Sequence, residues 1–294
     1  MAVAAKAIKQ KIKGVGNIRK ITRTMEMVSV SKMKKATFAA LLVRSYSLAA
    51  LNILSHISQK TNSEHSYFKM RESKTELLIL VSSNKGLCGS YNTNLYRKLI
   101  QYIKAQEAKS IELITIGKQA EKIAKRTGLA IRASFTDITD TPRIEDAESV
   151  LQTVLELYNK NEYGYVGILY THFVKQMNYT PKIRKLFPLD TKSIEEITNS
   201  EDQVVIAGQR ETIFEPNEST VLEEIVPRLL SAVIFGALCD ASASEHSTRM
   251  FAMKTASDNA KEIQRILTIS YNRARQDAVT QELAEIAAGA GAVA

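Results

Sequence analysis

The sequence predicts an α/β protein of composite build. A long antiparallel coiled coil, made by the N- and C-terminal segments, flanks a central, mostly parallel, Rossmann-like α/β domain. Three observations predict it. Glycine and proline, which punctuate chains, are absent from 17 to 85 and again from 237 to 288. Apolar or small residues recur in both stretches at steps of three and four, the period of a helical seam. The segment between them instead alternates short apolar runs with amphipathic ones, the pattern of strand–helix units.

The first element follows from Ile8, Ile12, Val15, Ile18, Met25, Val28, Ala36 and Val43, which share one helical phase. Residues 3–58 as one helix would span roughly 80 Å, too long for a single small domain to cover. The last element begins with a candidate capping box, Thr220 to Glu223, and carries Pro227 in its first turns. Its stripe continues through Leu230, Ile234, Ala237, Ala241, Met253, Ala260, Ile263, Leu267, Ala274 and Ala278. Two apolar stripes of similar length cover each other most simply by pairing, and a compact domain between them makes the pair antiparallel. The predicted division is 1–60 and 218–288 for the paired helices and 75–215 for the α/β domain.

Within that domain TELLILVSS (75–83), SIELITIG (110–117) and YGYVGILYTHF (163–173) read as buried strands, and LAIRASFTD (129–137) as a weaker one. Helical patterns start at Ser90, Lys118 and Ile144, the second ending at Gly128. TPKIRKLFPLD (180–190) reads as a further, antiparallel strand.

Composition narrows the function. The net charge is +9, yet residues 1–60 alone hold twelve Lys or Arg against one acid, Glu26. The basicity therefore belongs to the first helix and calls for an anionic partner. Cys88 and Cys239 have no metal-ligand spacing and fit a reducing compartment. No run reaches the ~18 apolar residues of a membrane span. The Lys-rich, acid-poor start could mimic a transit peptide, but the helical pattern runs unbroken past residue 40. His56, His65, His172 and His246 lack ligand spacing and read as surface or capping groups.

The most site-like stretch is SSNKGLCGSYN (82–92), between a strand and a helix, where phosphate loops sit. Its Gly86 and Gly89 match neither GxGxxG nor GxxxxGK[ST], so a tight strand-to-helix turn competes with a nucleotide site. The residues thus leave three readings open. One is a coiled-coil module with an acidic protein partner. Another is a basic coiled coil binding nucleic acid, although the basic residues are not interleaved with aromatics. The third is an α/β enzyme using the 82–92 turn.

Three stretches separate these readings. IRKITRTMEMVSVSKMKKA (18–36) resembles the N-terminal signature of the gamma subunit of the rotary F-type ATP synthase, bacterial type. SSNKGLCGSYN resembles that family's first strand-to-helix turn, and the segment 242–294 resembles its C-terminal signature. Val30 stands where the family has a small residue. The cysteine-bearing insertion of chloroplast members is absent, so redox control of that type is not expected.

The resemblance implies a central stalk rotor subunit, itself non-catalytic and without cofactor or metal. It would couple ion flow through the membrane c ring to ATP synthesis or hydrolysis at the beta-subunit sites. The implied partners are the alpha3–beta3 hexamer, the epsilon subunit and the c ring, with no nucleic acid. The implied location is peripheral, on the cytoplasmic face of a bacterial plasma membrane. Carried over position by position, Met25, Lys32, Arg249, Arg275, Gln276 and Thr280 match family positions that contact the ring, and Phe214 and Glu215 fall near its c-ring contact. The terminal EIAAGAGAVA (285–294) would sit in an apolar sleeve, where small side chains offer little resistance to turning.

Overall fold

The computed structural model describes residues 2–60, 67–69, 71–106, 110–138, 140–160, 162–189 and 218–293. The elements, in order, are α1 (Ala2–Lys60), β1 (Thr75–Val81), α2 (Tyr91–Ala105), β2 (Ser110–Ile116) and α3 (Lys118–Thr127). There follow β3 (Ala130–Phe135), α4 (Ile144–Asn159), β4 (Tyr165–Lys175), β5 (Asn178–Phe187) and, as α5, the helix Glu218–Val293. The chain divides into two compact units, 30–248 and the pair of segments 1–29 with 249–294.

The larger unit is built on a five-stranded sheet of order β3-β2-β1-β4-β5. The first four strands are parallel, and β5 returns antiparallel beside β4. This is the doubly wound arrangement that strand–helix alternation predicts. β1 lies at its centre, so its side chains are buried on both faces and the strand reads as an unbroken apolar run. Leu77, Ile79 and Val81 pack under α4 (Ala147, Val150, Leu151, Val154) and the first turns of α5 (Leu229, Val233, Ile234). Leu78 and Leu80 face the opposite way, onto Tyr91, Leu95 and Leu99 of α2 and Ala120 and Ile123 of α3. The strand period of two sorts one sequence run between two cores.

Gly117 makes the turn from β2 into α3. Its φ is +90°, and a Cβ there would stand 2.6 Å from the Ser82 carbonyl oxygen. Gly128 ends α3 in the left-handed conformation, as expected of a helix C-terminus. At the start of α4 the Asp146 carboxylate accepts a hydrogen bond from the Arg143 backbone N–H at 2.8 Å.

α1 and α5 pack against each other in both units. A methyl group added to Gly16 would lie 3.4 Å from the Gln264 amide nitrogen, and one added to Gly236 would lie 3.6 Å from Val43 Cγ1. Numbers rise along one helix as they fall along the other, so the pair is antiparallel. In the smaller unit the inward positions of α5 are Met253, Ser257, Ala260, Gln264, Leu267, Tyr271, Ala274 and Ala278, alternating steps of four and three. α1 answers with Ile8, Ile12, Val15, Thr22 and Ser29 on the same repeat.

Two expectations are corrected here. Ile18, Val28 and Ile263 were placed on the seam by their hydrophobicity, yet each is about half exposed. Thr22, Ser29 and Gln264 take the inward positions instead. Thr22 and Ser29 satisfy their hydroxyls on carbonyls one turn back, at 3.1 Å from Ile18 O and 2.7 Å from Met25 O, so burying them leaves no hydrogen bond unmade. Thr220 is also not the cap of the last helix, because α5 already includes Glu218. α5 continues through Pro227, whose ring removes one backbone N–H without ending the helix.

Candidate functional site

The turn after β1 is occupied by its own side chains. Asn92 Nδ2 donates to Ser83 Oγ at 2.7 Å, and Cys88 Sγ lies 3.7 Å from the same oxygen. Asn84 donates to the Ile138 carbonyl at 2.8 Å and accepts from the Lys118 N–H at 3.0 Å. Leu87 and Gly89 both adopt positive φ. Open α/β sheets receive ligands beyond the carboxyl ends of their strands. There the structure leaves a cavity of about 40 Å³, bordered by Ser82, Asn84 and Asp140 and roofed by Leu238, Ser242 and Glu245 of α5. Helix α5 thus lies over the place a nucleotide would enter. This supports the tight-turn reading of SSNKGLCGSYN over the nucleotide-loop reading.

A polar cluster joins the long helices to the sheet. Lys32 Nζ of α1 meets Asp140 Oδ2 at 2.6 Å, and Lys85 Nζ lies 3.9 Å from the same oxygen. Ser242 Oγ of α5 donates to the Asp140 backbone carbonyl at 2.7 Å. His172 Nδ1 of β4 and Asp240 Oδ2 of α5 are 2.6 Å apart, and both side chains are nearly buried. Ser244 Oγ donates to the Thr171 carbonyl at 3.2 Å. Burial alone would raise the Asp140 carboxyl, but the hydrogen bond from Lys32 and the charges of Lys32, Lys85 and His246 outweigh it and hold the group below its ordinary value. The Cys239 thiol is pushed up to about 12, first by burial and then by the Asp240 charge.

Sequence reasoning missed this cluster. It read the histidines as surface groups, whereas His172 and His246 are both buried. His65 lies outside the described residues, as does the side chain of His56. The run Asp240, Ser242, Ser244, Glu245, His246, Ser247, Thr248 and Arg249 is buried throughout. A polar run suggests a solvated helix face. The available signal was size, since ASAS (241–244) lets a helix approach a sheet closely.

The positions expected to contact partners fall into three sets. Met25 is half-buried, and Arg275, Gln276 and Thr280 are exposed on α5. Thr280 Oγ1 donates to the Gln276 carbonyl at 3.0 Å. Lys32 is engaged by Asp140, and Arg249 is buried. Phe214 and Glu215 lie outside the described residues.

The smaller unit carries a second apolar set, facing outward. Ile18, Ile21, Met27 and Val28 on α1 are exposed, as are Ile263, Ile266, Ile269, Val279, Leu283 and Ile286 on α5. Basic groups stand among them. Lys6, Lys9, Lys11, Lys13 and Lys20 are exposed, and Glu26 is bound by Arg23 at 2.8 Å. Among the described residues no group of three or more His, Cys, Asp or Glu could hold a metal ion, and no helix is long and apolar enough to cross a membrane.

Comparison with known proteins agrees with this architecture. The family model described as ATP synthase matches residues 4–293. The ATP synthase gamma chain of Ruthia magnifica is 36% identical over 294 residues, covering 99% of each chain. That of Variovorax paradoxus is 38% identical over 299 residues, again covering 99% of each. Among solved structures, a chain of the Euglena gracilis mitochondrial ATP synthase shares the fold, with a TM-score of 0.69, 18% identity and coverage of 100% of this chain and 95% of that one. A chain of the Tetrahymena thermophila mitochondrial ATP synthase has a TM-score of 0.60 and 24% identity, covering 81% of this chain and 99% of that one. With relatives above 35% identity along nearly its whole length, the chain belongs to the ATP synthase gamma chain family.

Proposed function

We propose that this chain is the central rotor shaft of an ATP synthase, coupling ion flow through the membrane c ring to ATP synthesis or hydrolysis at the beta-subunit sites. The observation that carries the proposal is the outward apolar set of the smaller unit. A pair of helices buries one seam between them. A second set of Ile, Leu and Val exposed on the same pair fits a surface that a partner surrounds. The partners in this reading are the alpha3–beta3 hexamer around the helices, with the epsilon subunit and the c ring at the α/β domain.

The physical role is mechanical and non-catalytic. Two helices have no threefold symmetry, so they present different side chains to three identical partners. Turning the pair changes which partner meets which face, and differential contact is what shifts an equilibrium. The lysines of α1 add screened, interchangeable attraction to an acidic partner, which suits a surface that must move. We assign ring contact to Met25, Arg275, Gln276 and Thr280, and contact near the c ring to Phe214 and Glu215. Lys32 and Arg249, held within the chain, serve to shape the shaft. The functional division is 1–60 and 218–288 as shaft and 75–215 as the domain that is turned. The complex works at the cytoplasmic face of a bacterial plasma membrane, with this chain peripheral to it.

Native-mass analysis of complexes captured on the tagged chain tests the proposal. The expected result is a complex with six large subunits per copy of this chain and with ATPase activity. Recovery of free chain, or of chain bound to nucleic acid, would overturn it.

A further inference from the structure

Asp140 is tied to three separate parts of the larger unit. It lies in the loop between β3 and α4, with its side chain 16% exposed. The carboxylate takes the Lys32 ammonium from α1, 108 residues away in sequence, and stands near Lys85 of the β1–α2 turn. The backbone carbonyl takes the hydroxyl of Ser242 from α5, 102 residues away. Its own loop is fixed in turn, because Asn84 donates to the carbonyl of Ile138. One loop residue therefore holds both long helices, through bonds of different chemistry at different atoms.

The packing around these bonds explains why they matter. Near Asp140, α5 presents a mix of apolar and polar side chains, Leu238, Ala241, Ser242 and Glu245, and its neighbouring Leu and Val residues pack on the sheet. Close-packed apolar surfaces resist separation, but they are non-directional. Charge-assisted hydrogen bonds are short and directional, and they fix an angle as well as a distance. The burial of Asp140 limits competition from water.

We propose that Asp140 is the positioning residue that locks α1 and α5 in angle to the α/β domain, so that rotation of that domain is delivered to the helices without slip. This rests on the rotor reading above. Breaking the Asp140 ties leaves the fold in place and lets the helices yield under load.

The test uses the intact ATP synthase in inverted membrane vesicles, with the variant chain as the only copy. ATP hydrolysis and the membrane potential it generates, read with a potential-sensitive dye, are measured on the same vesicles. Asp140→Asn removes the charge and keeps the shape. Ser242→Ala cuts the α5 tie independently. For each, the expected result is a complex of normal subunit ratio and melting temperature, with a several-fold loss of potential generated per ATP hydrolysed. Asp140→Glu, which keeps the charge, should recover most of it. A purely structural role would lower the melting temperature and leave the ratio unchanged. A normal ratio in whichever variant assembles would overturn the proposal, and so would failure of both variants to assemble. Absence of the unaltered chain from the ATPase complex would instead overturn the rotor reading.

Discussion

Glu112 shows how local electrostatics hold the sheet edge. Its carboxylate takes a two-pronged grip from Arg132 of the edge strand β3, at 2.6 and 2.9 Å, and a hydrogen bond from the Tyr163 hydroxyl at 2.5 Å. The Arg132 hydrogen bond is the largest cause holding Glu112 below its ordinary value, against an opposing push from burial. The same carboxylate helps burial push the Tyr163 phenol up to about 12. A depressed carboxyl stabilises the fold fully above its unfolded value, about pH 4.3 for Glu, and that contribution is lost as pH falls through the lower folded value. Glu112→Gln should therefore be less stable than the parent at pH 7, with the gap closing as pH falls below about 4 in urea unfolding series. Met25 is half-buried on α1, and in the rotor proposal Met25→Lys would set a charge against the ring. It should impair coupling more than assembly, and a normal ion yield per ATP would contradict this. Single residues were the least legible scale in the sequence. Asp140 is one acid in an ordinary loop, and its three ties come from residues more than 50 positions away.

Elements were far more legible. The central strand announced itself because it is apolar on both faces, and α3 because Gly117 and Gly128 bracket it. Gly117→Ala tests the bracket. At φ +90° and against a carbonyl oxygen, the added methyl should cost on the order of 1–3 kcal/mol, visible as a lower thermal midpoint. The helical seams were legible in period and, apart from Ile18, Val28 and Ile263, in phase. Hydrophobicity pointed to Ile18 and Ile263, but this helix pair also exposes apolar residues, and hydrophobicity alone does not say which of them face inward. The distinction gives a further expectation. Ile18→Glu with Ile263→Glu should leave the helicity of the isolated chain unchanged by circular dichroism and raise its solubility, while weakening assembly into the ATPase. A loss of helicity would mean that these residues belong to the seam after all.

At the scale of the whole molecule, the plan of two terminal helices around a doubly wound sheet was readable from where glycine and proline fall. What that plan is for was not. A long basic helix pair also suits nucleic acid, and only the signature stretches and the family match separate the two. The end of α5 gives the corresponding test. Removing residues 285–294 should weaken assembly while sparing part of the ATP hydrolysis. Loss of all hydrolysis in a fully assembled complex would count against the sleeve reading of that tip.

Helix α5 also changes its surroundings along its length. From Leu229 to Thr248 it is buried almost all round, whereas from 279 to 288 every side chain is exposed. Backbone amides along a single unbroken helix should therefore exchange with deuterated solvent at very different rates in the isolated chain. Slow exchange, close to the global unfolding limit, belongs to the first stretch, and fraying to the last. Such a gradient makes folding and assembly separable events. The root of the helix sets with its own domain, while in the rotor proposal the tip would gain its protection only on assembly.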